Sequence, residues 1–295
     1  MSCETDFDNQ ARDEFLAEVY PKAYAAVKTG DVEGLRQLLR AYPELANARS
    51  KQGRTLLNHL CDWPGHYPNQ LETGRALLNA DADVNARAID PALGETPLQW
   101  TASNDDVEMA DLLLDAGTPI DGLNDDRRPL AQALWYGCTN VAKLLVRRGA
   151  ALDLELAAAV GRVDLLPSFF GPDGKLLPRA GIHREPVNTT TPSPPGELLQ
   201  QALIYAVIGG SYDSAEYLLD RGADVNGSPS GFDHTGAAPL HWAAAGTNTA
   251  IIRLLLDRGA ELNARDRRYC GTPLGWANHF QRTEHEELLR SLGGV

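Results

Sequence analysis

Apolar residues return along the chain in short blocks with the same punctuation each time. Ala238-Pro239-Leu240-His241-Trp242-Ala243-Ala244 precedes Ile251-Ile252-Arg253-Leu254-Leu255-Leu256, and that second block stops at Gly259. Thr96-Pro97-Leu98-Gln99-Trp100-Thr101-Ala102 precedes Leu112-Leu113-Leu114 and Gly117, while Thr272-Pro273-Leu274-Gly275-Trp276-Ala277 precedes Leu288-Leu289. Arg128-Pro129-Leu130 leads to Leu144-Leu145-Val146 and Gly149, and Leu218-Leu219 leads to Gly222-Ala223-Asp224-Val225-Asn226. A small polar residue followed by Pro is a helix start, since proline's missing N–H costs nothing in the first turn. Paired alanines let a neighbouring helix approach, and the leucine run fills the space between layers. Glycine then ends the second helix in the left-handed conformation, and Asn opens a turn. The pattern predicts an all-α chain of helix pairs, none of which buries its own apolar face, so the pairs must stack.

With the Leu of Thr-Pro-Leu as anchor, equivalent positions fall at Ala23, Leu57, Leu98, Leu130, Leu154, Leu203, Leu240 and Leu274, which makes eight units. These residues resemble the ankyrin repeat, with its Thr-Pro-Leu-His helix start, Leu-Leu second helix and Gly-Ala-Asp-Val-Asn close. The resemblance covers nearly all of residues 13–295 and implies a curved solenoid of stacked helix-turn-helix units with β-turn or hairpin fingers. It also implies that the fingers and inner-helix ends line a concave groove that binds another protein. The Thr-Pro-Leu-Gly-Trp-Ala last repeat and an interrupted fifth unit resemble bacterial-style arrays.

Departures from the period set the expected organisation. Residues 1–12 read as a tail, 13–170 as repeats one to five with an N-terminal cap, 171–196 as a Pro-rich insertion, and 197–295 as repeats six to eight with a C-terminal cap. Residues 62–70 stretch the loop of repeat two, and Gly149-Ala150-Ala151-Leu152-Asp153 leaves no length for a finger after repeat four. The insertion, with Thr189-Thr190-Thr191-Pro192-Ser193-Pro194-Pro195, resists helix and strand. It reads as a surface excursion, a lid across the groove, or a hinge. Polar residues at Glu284-His285-Glu286-Glu287, and the cap from Glu14 to Leu39, close both ends of the array, which predicts a monomer.

Composition then removes function classes. A formal net charge of -13 over 295 residues disfavours a duplex nucleic-acid groove or an anionic membrane surface, both of which need clustered Lys and Arg. No run reaches the roughly 18 apolar residues of a membrane span, and the N-terminus lacks a signal peptide's basic and apolar regions. Cys3, Cys61, Cys138 and Cys270 lie far apart without metal-ligand spacing, which suits a reducing cytoplasm. No phosphate loop, GxSxG or HExxH is present, so no catalytic residue, metal or cofactor is assigned.

The candidate partner-binding residues follow from the register. Inner-helix ends and the stretched loop contribute Asp62, Trp63, His66, Asn104, Trp135, Tyr136, His279 and Phe280, with the aromatics as expected hot spots. Fingers contribute Arg54, Glu95, Arg127, His234, Arg268 and Tyr269, with Arg49, Arg87, Arg265 and Arg267 adding to a basic rim that would steer an acidic partner. Trp100, Trp242 and Trp276 are expected in the core, and His241 is expected to be structural. The alternative is a small-molecule or metal pocket beneath the 62–70 loop and the 171–196 insertion, using His59, Cys61, Asp62, His66 and His183.

Overall fold

A computed structural model describes residues 18–89, 94–181, 195–229 and 235–295. The tail 1–12, residues 182–194 of the insertion, and the candidates His183 and His234 lie outside the described residues. In chain order the helices are α1 (residues 18–29), α2 (Val32–Ala41), α3 (Leu56–Cys61), α4 (Gln70–Leu78), α5 (Pro97–Ser103), α6 (Val107–Asp115), α7 (Arg128–Trp135) and α8 (Thr139–Arg147). They continue as α9 (Leu154–Ala159), α10 (Leu198–Ile208), α11 (Tyr212–Asp220), α12 (Pro239–Ala245), α13 (Thr249–Asp257), α14 (Pro273–His279) and α15 (Thr283–Ser291). After α9 the second helix is replaced by a 3-10 turn, Val163–Phe169, with Pro167 inside it. Among the described residues no β-strand forms, so the fingers are turns. The chain divides into two compact units. One holds Met1–Asp125 with Cys138–Gly149, and the other holds Asp126–Gly137 with Ala150–Val295.

The helix starts obey the sequence. Thr55 Oγ1 accepts the Asn58 N–H at 3.1 Å while the Asn58 side chain accepts the Thr55 N–H at 2.9 Å. Thr96 and Gln99 repeat the exchange at 3.4 and 3.0 Å, satisfying donors that a helix end leaves open. Ala238 has no side-chain acceptor, and there His241 keeps the returning half, its Nδ1 accepting the Ala238 N–H at 3.2 Å. The other ring nitrogen reaches the carbonyls of Ala264 and Gly271 at 3.2 and 3.1 Å, which makes His241 a structural tie to the following finger. All eight anchors, Ala23 through Leu274, are buried.

The finger asparagines do more than open a turn. Asn47 donates to the Asp81 carbonyl at 2.8 Å and accepts the Asp83 N–H at 2.7 Å. Asn226 does the same with Gly259 and Glu261 at 3.1 and 2.9 Å, and Asn263 with Gly293 and Val295 at 3.4 and 2.9 Å. Each therefore clamps its repeat to the next. At Asn85 the register puts Pro119 where the donor should be; proline has no N–H, and the buried Asn85 Oδ1 has no hydrogen-bond partner.

In the second unit the described part of the insertion packs down. Phe170 bridges Leu176, Leu177 donates to the Phe169 carbonyl at 2.9 Å, and the carbonyl of the fully buried Ala180 accepts the Leu154 N–H at 2.8 Å. Residues 170–181 thus cover the start of α9, as a finger would. The inner helices meet closely beside them, and a Cβ on Gly209 would lie 2.0 Å from the Ala159 carbonyl oxygen.

Candidate functional site

In the first unit, a frame of polar contacts holds one exposed aromatic. Arg54 pairs with Asp62 and lies 4.8 Å over the Trp100 ring, and the Trp100 indole donates to Glu95 at 2.5 Å. Asp62 also accepts the Trp63 N–H at 2.8 Å, its carbonyl accepts the Gly65 N–H at 2.7 Å, and the Asn104 amide holds the Cys61 carbonyl at 2.9 Å. Arg54, Asp62, Glu95 and Asn104, expected as polar contacts for a partner, are thereby engaged within the protein. Trp63 stands clear of this frame at 77% exposure, with His66 exposed nearby in the loop.

The enzyme-like cluster has a different character from the one its residue types suggest. Cys61 is buried, which pushes its thiol well above the usual range, with Asp106 and Asp62 adding to the effect. Burial, aided by Arg54, lowers His59 to about 4 against the opposing pull of Asp62, and its ring packs 4.5 Å from Tyr24. Among the described residues no three His, Cys, Asp or Glu side chains gather as a metal site.

The second unit carries a run of aromatic rings. Trp135, at the end of α7, lies 5.3 Å from Trp242; Trp242 lies 5.2 Å from Trp276 at 74°; and Trp276 lies 6.0 Å from Phe280, whose edge meets His279 at 5.0 Å. Separations of this size and tilt are favourable between rings. Trp242 and Trp276 were expected in the core but are only half-buried: they pack against its edge and meet one another edge to face from the middle of α12 and α14. Trp100 is buried, as the register implies. Trp135 is half-buried, Tyr136 is 50% exposed and Phe280 is 46% exposed. Not every inner-helix end is available: Ala159, at the end of α9, is buried, and its carbonyl accepts the Ser211 hydroxyl at 3.0 Å.

Much of the expected basic rim is used to stitch fingers. Arg49 donates to the Gly53 and Arg87 carbonyls, both at 2.7 Å, Arg87 to Gly94 at 2.9 Å, and Arg265 to Cys270 at 2.8 Å. Arg127 pairs with the buried Asp153 at 3.5 Å. Arg268 and Tyr269 remain exposed on the finger after α13.

Asp153 gives the second unit a pH dependence. It caps α9 by accepting the Leu156 N–H at 3.1 Å, yet burial raises its pKa from 3.8 to about 6 against that bond and Arg127. Its neighbour Glu155 is raised well above the carboxylate range by burial and by the Asp153 charge. A raised carboxyl favours its neutral form in the fold, so the stability linked to Asp153 is full below pH 3.8 and is lost as pH rises through about 6. The change amounts to about 3 kcal/mol. Asp153→Asn keeps an acceptor without the charge and is expected to reduce the fall of denaturation midpoints between pH 4 and 6, leaving the part of the slope that Glu155 carries. A slope equal to that of the parent protein would refute this.

Comparison with known proteins finds a family and relatives for the chain. The family model "Ankyrin repeats (3 copies)" matches residues 66–157 and 154–266. The Caenorhabditis elegans protein "Ankyrin repeat and KH domain-containing protein mask-1" is 28% identical over 236 residues, 76% of this chain and 8% of that protein. "Ankyrin repeat and LEM domain-containing protein 1 homolog", also from Caenorhabditis elegans, is 44% identical over 57 residues, 19% of this chain and 8% of that protein. "RelA-associated inhibitor" of Mus musculus is 41% identical over 73 residues, 25% of this chain and 8% of that protein. The chain therefore spans 8% of the length of these curated relatives. The crystal structure of the human ASB11 ankyrin repeat domain aligns at a TM-score of 0.44 with 20% identity, covering 90% of this chain and 95% of that one. These relatives are animal proteins and lend no support to a bacterial-style source.

Proposed function

Because the chain belongs to the ankyrin-repeat family, whose repeats are generally protein-protein interaction modules, we propose that it is a non-catalytic module that binds a protein partner through its inner-helix ends and fingers. The observation that supports this most is the run of Trp135, Trp242, Trp276 and Phe280, which leaves half-exposed rings in contact across the inner helices of separate repeats. Tyr136 adds exposed aromatic area in the same unit, and Trp63 is a separate exposed ring in the first unit. Large aromatics supply apolar surface at low entropic cost, and a preorganised scaffold leaves little ordering to oppose binding. Free thiols at Cys61, Cys138 and Cys270 fit a reducing, cytoplasmic setting, and the net charge of -13 fits a protein partner better than a polynucleotide. No described helix is long and apolar enough to cross a membrane.

The test begins with a partner captured from lysate and then measured by calorimetry. Trp135→Ala is expected to weaken that partner by about 2 kcal/mol, roughly 30-fold, at a temperature where circular dichroism shows both forms folded. Equal affinity for both folded forms would count against the proposal.

A further inference from the structure

The aromatic run meets a cationic tip at one end. Asp266, buried at the base of the finger after α13, accepts the N–H groups of Arg268, Tyr269 and Gly271 at 3.0, 2.6 and 3.0 Å. It also accepts the Trp276 indole at 3.0 Å, so one carboxylate shapes the finger and orients a ring of the run. The Arg267 N–H donates to the Thr235 carbonyl at 2.8 Å, which pins the finger to the one before it. On the outer side stand Arg267, Arg268 and Tyr269, the last 63% exposed with the Arg268 guanidinium 5.5 Å from its ring centre.

These two arginines differ from others in the chain. Arg54, Arg127, Arg148 and Arg258 are each paired with a carboxylate. Among the described residues, none lies within ion-pair distance of Arg267 or Arg268. On a chain of net charge -13 they form a local cationic point beside apolar rings.

We propose that this finger recognises an acidic peptide segment, whose carboxylates meet Arg267 and Arg268 while an aromatic or leucine side chain between them rests on Trp276 and Phe280. The proposal rests on reading the aromatic run as a protein-binding face. A guanidinium fork matches a carboxylate bidentately, and here it is carried on a turn already fixed by Asp266. The acidic remainder of the surface repels the same peptide in any other register, so it enforces the position that the arginines select. A polynucleotide carries a charge at every residue and would have to extend past that acidic surface.

The experiment selects peptides from a randomised displayed library on the full chain and measures a synthetic member of the pool by fluorescence anisotropy. The pool is expected to be enriched in Asp and Glu around Trp, Phe or Leu. The peptide is expected to bind the Arg267→Gln, Arg268→Gln double variant at least tenfold more weakly at an unchanged melting temperature, with a parent affinity that falls as salt rises. A pool without acidic enrichment, or a peptide indifferent to the double variant, overturns the proposal. If such a peptide is still weakened by Trp135→Ala, the protein-binding face stands without it; a library that yields no binder removes both. Labelled poly-dT that binds more tightly than the peptide, and loses binding in the double variant, would overturn the proposal in favour of a nucleic acid.

Discussion

Gly209→Ala is expected to destabilise the second unit by about 3 kcal/mol or more, and to lower its melting temperature by roughly 2–4 °C for each kcal/mol. The added methyl would sit 2.0 Å from the Ala159 oxygen and 2.7 Å from its carbonyl carbon. Both are backbone atoms, so no side chain can turn aside, and α9 and α10 must separate. The surrounding core of Leu154, Ala157, Leu203 and Ala206 is packed around that closeness. Separation would also stretch the Ser211 hydroxyl away from the Ala159 carbonyl. Thermal and urea unfolding with matched circular dichroism would measure the effect; a midpoint within error of the parent's would mean that the two helices can part freely.

Asp266→Ala is expected to cost about 3 kcal/mol and to free the finger that carries Arg267 and Arg268. Three backbone N–H groups and one indole lose a common acceptor, and buried donors left without partners are each costly. Burial by itself would raise the Asp266 pKa, but the Tyr269 N–H, the Trp276 indole and the Gly271 and Arg268 N–H groups outweigh it and hold the carboxyl below its ordinary range. A lowered carboxyl contributes stability above its unfolded pKa of about 3.8 that is lost as pH falls through the folded value, the opposite sign to Asp153. Asp266→Asn retains one acceptor and should lose less. Hydrogen exchange at residues 267–271 and tryptophan fluorescence would read the change; protection equal to the parent's would show that the turn stands without the carboxylate.

The helix pairs were legible because their signals are local. Thr96-Pro97-Leu98 and Thr272-Pro273-Leu274 carry their own caps, and each anchor is followed by its own leucine run even where the spacing between anchors departs from the period. Trp242 and Trp276 misled because the register assigns a position to the core irrespective of the size of its side chain, whereas two indoles at successive repeats find each other and stay half outside. The fate of the arginines was illegible for another reason. A sequence gives charge but not partner, and Arg49 finds the Arg87 carbonyl 38 residues away. Asn47, Asn226 and Asn263 read as turn formers for the same cause, since what they hold lies in the following repeat. Nothing in the sequence marks Gly209 as a close approach, and only the path of α9 shows why it has no side chain.

The 3-10 turn at Val163–Phe169 bears on how an opening would travel through the second unit. A stacked array passes cooperativity only from neighbour to neighbour, much as a row of coupled spins does. On the inner side the coupling across α9 and α10 is tight. On the outer side α11 meets a turn kinked by Pro167 where other repeats offer a regular helix. A fluctuation that starts outside can thus die out there, leaving the tryptophan-bearing side in register: the outer layer breathes while the inner one stays shut.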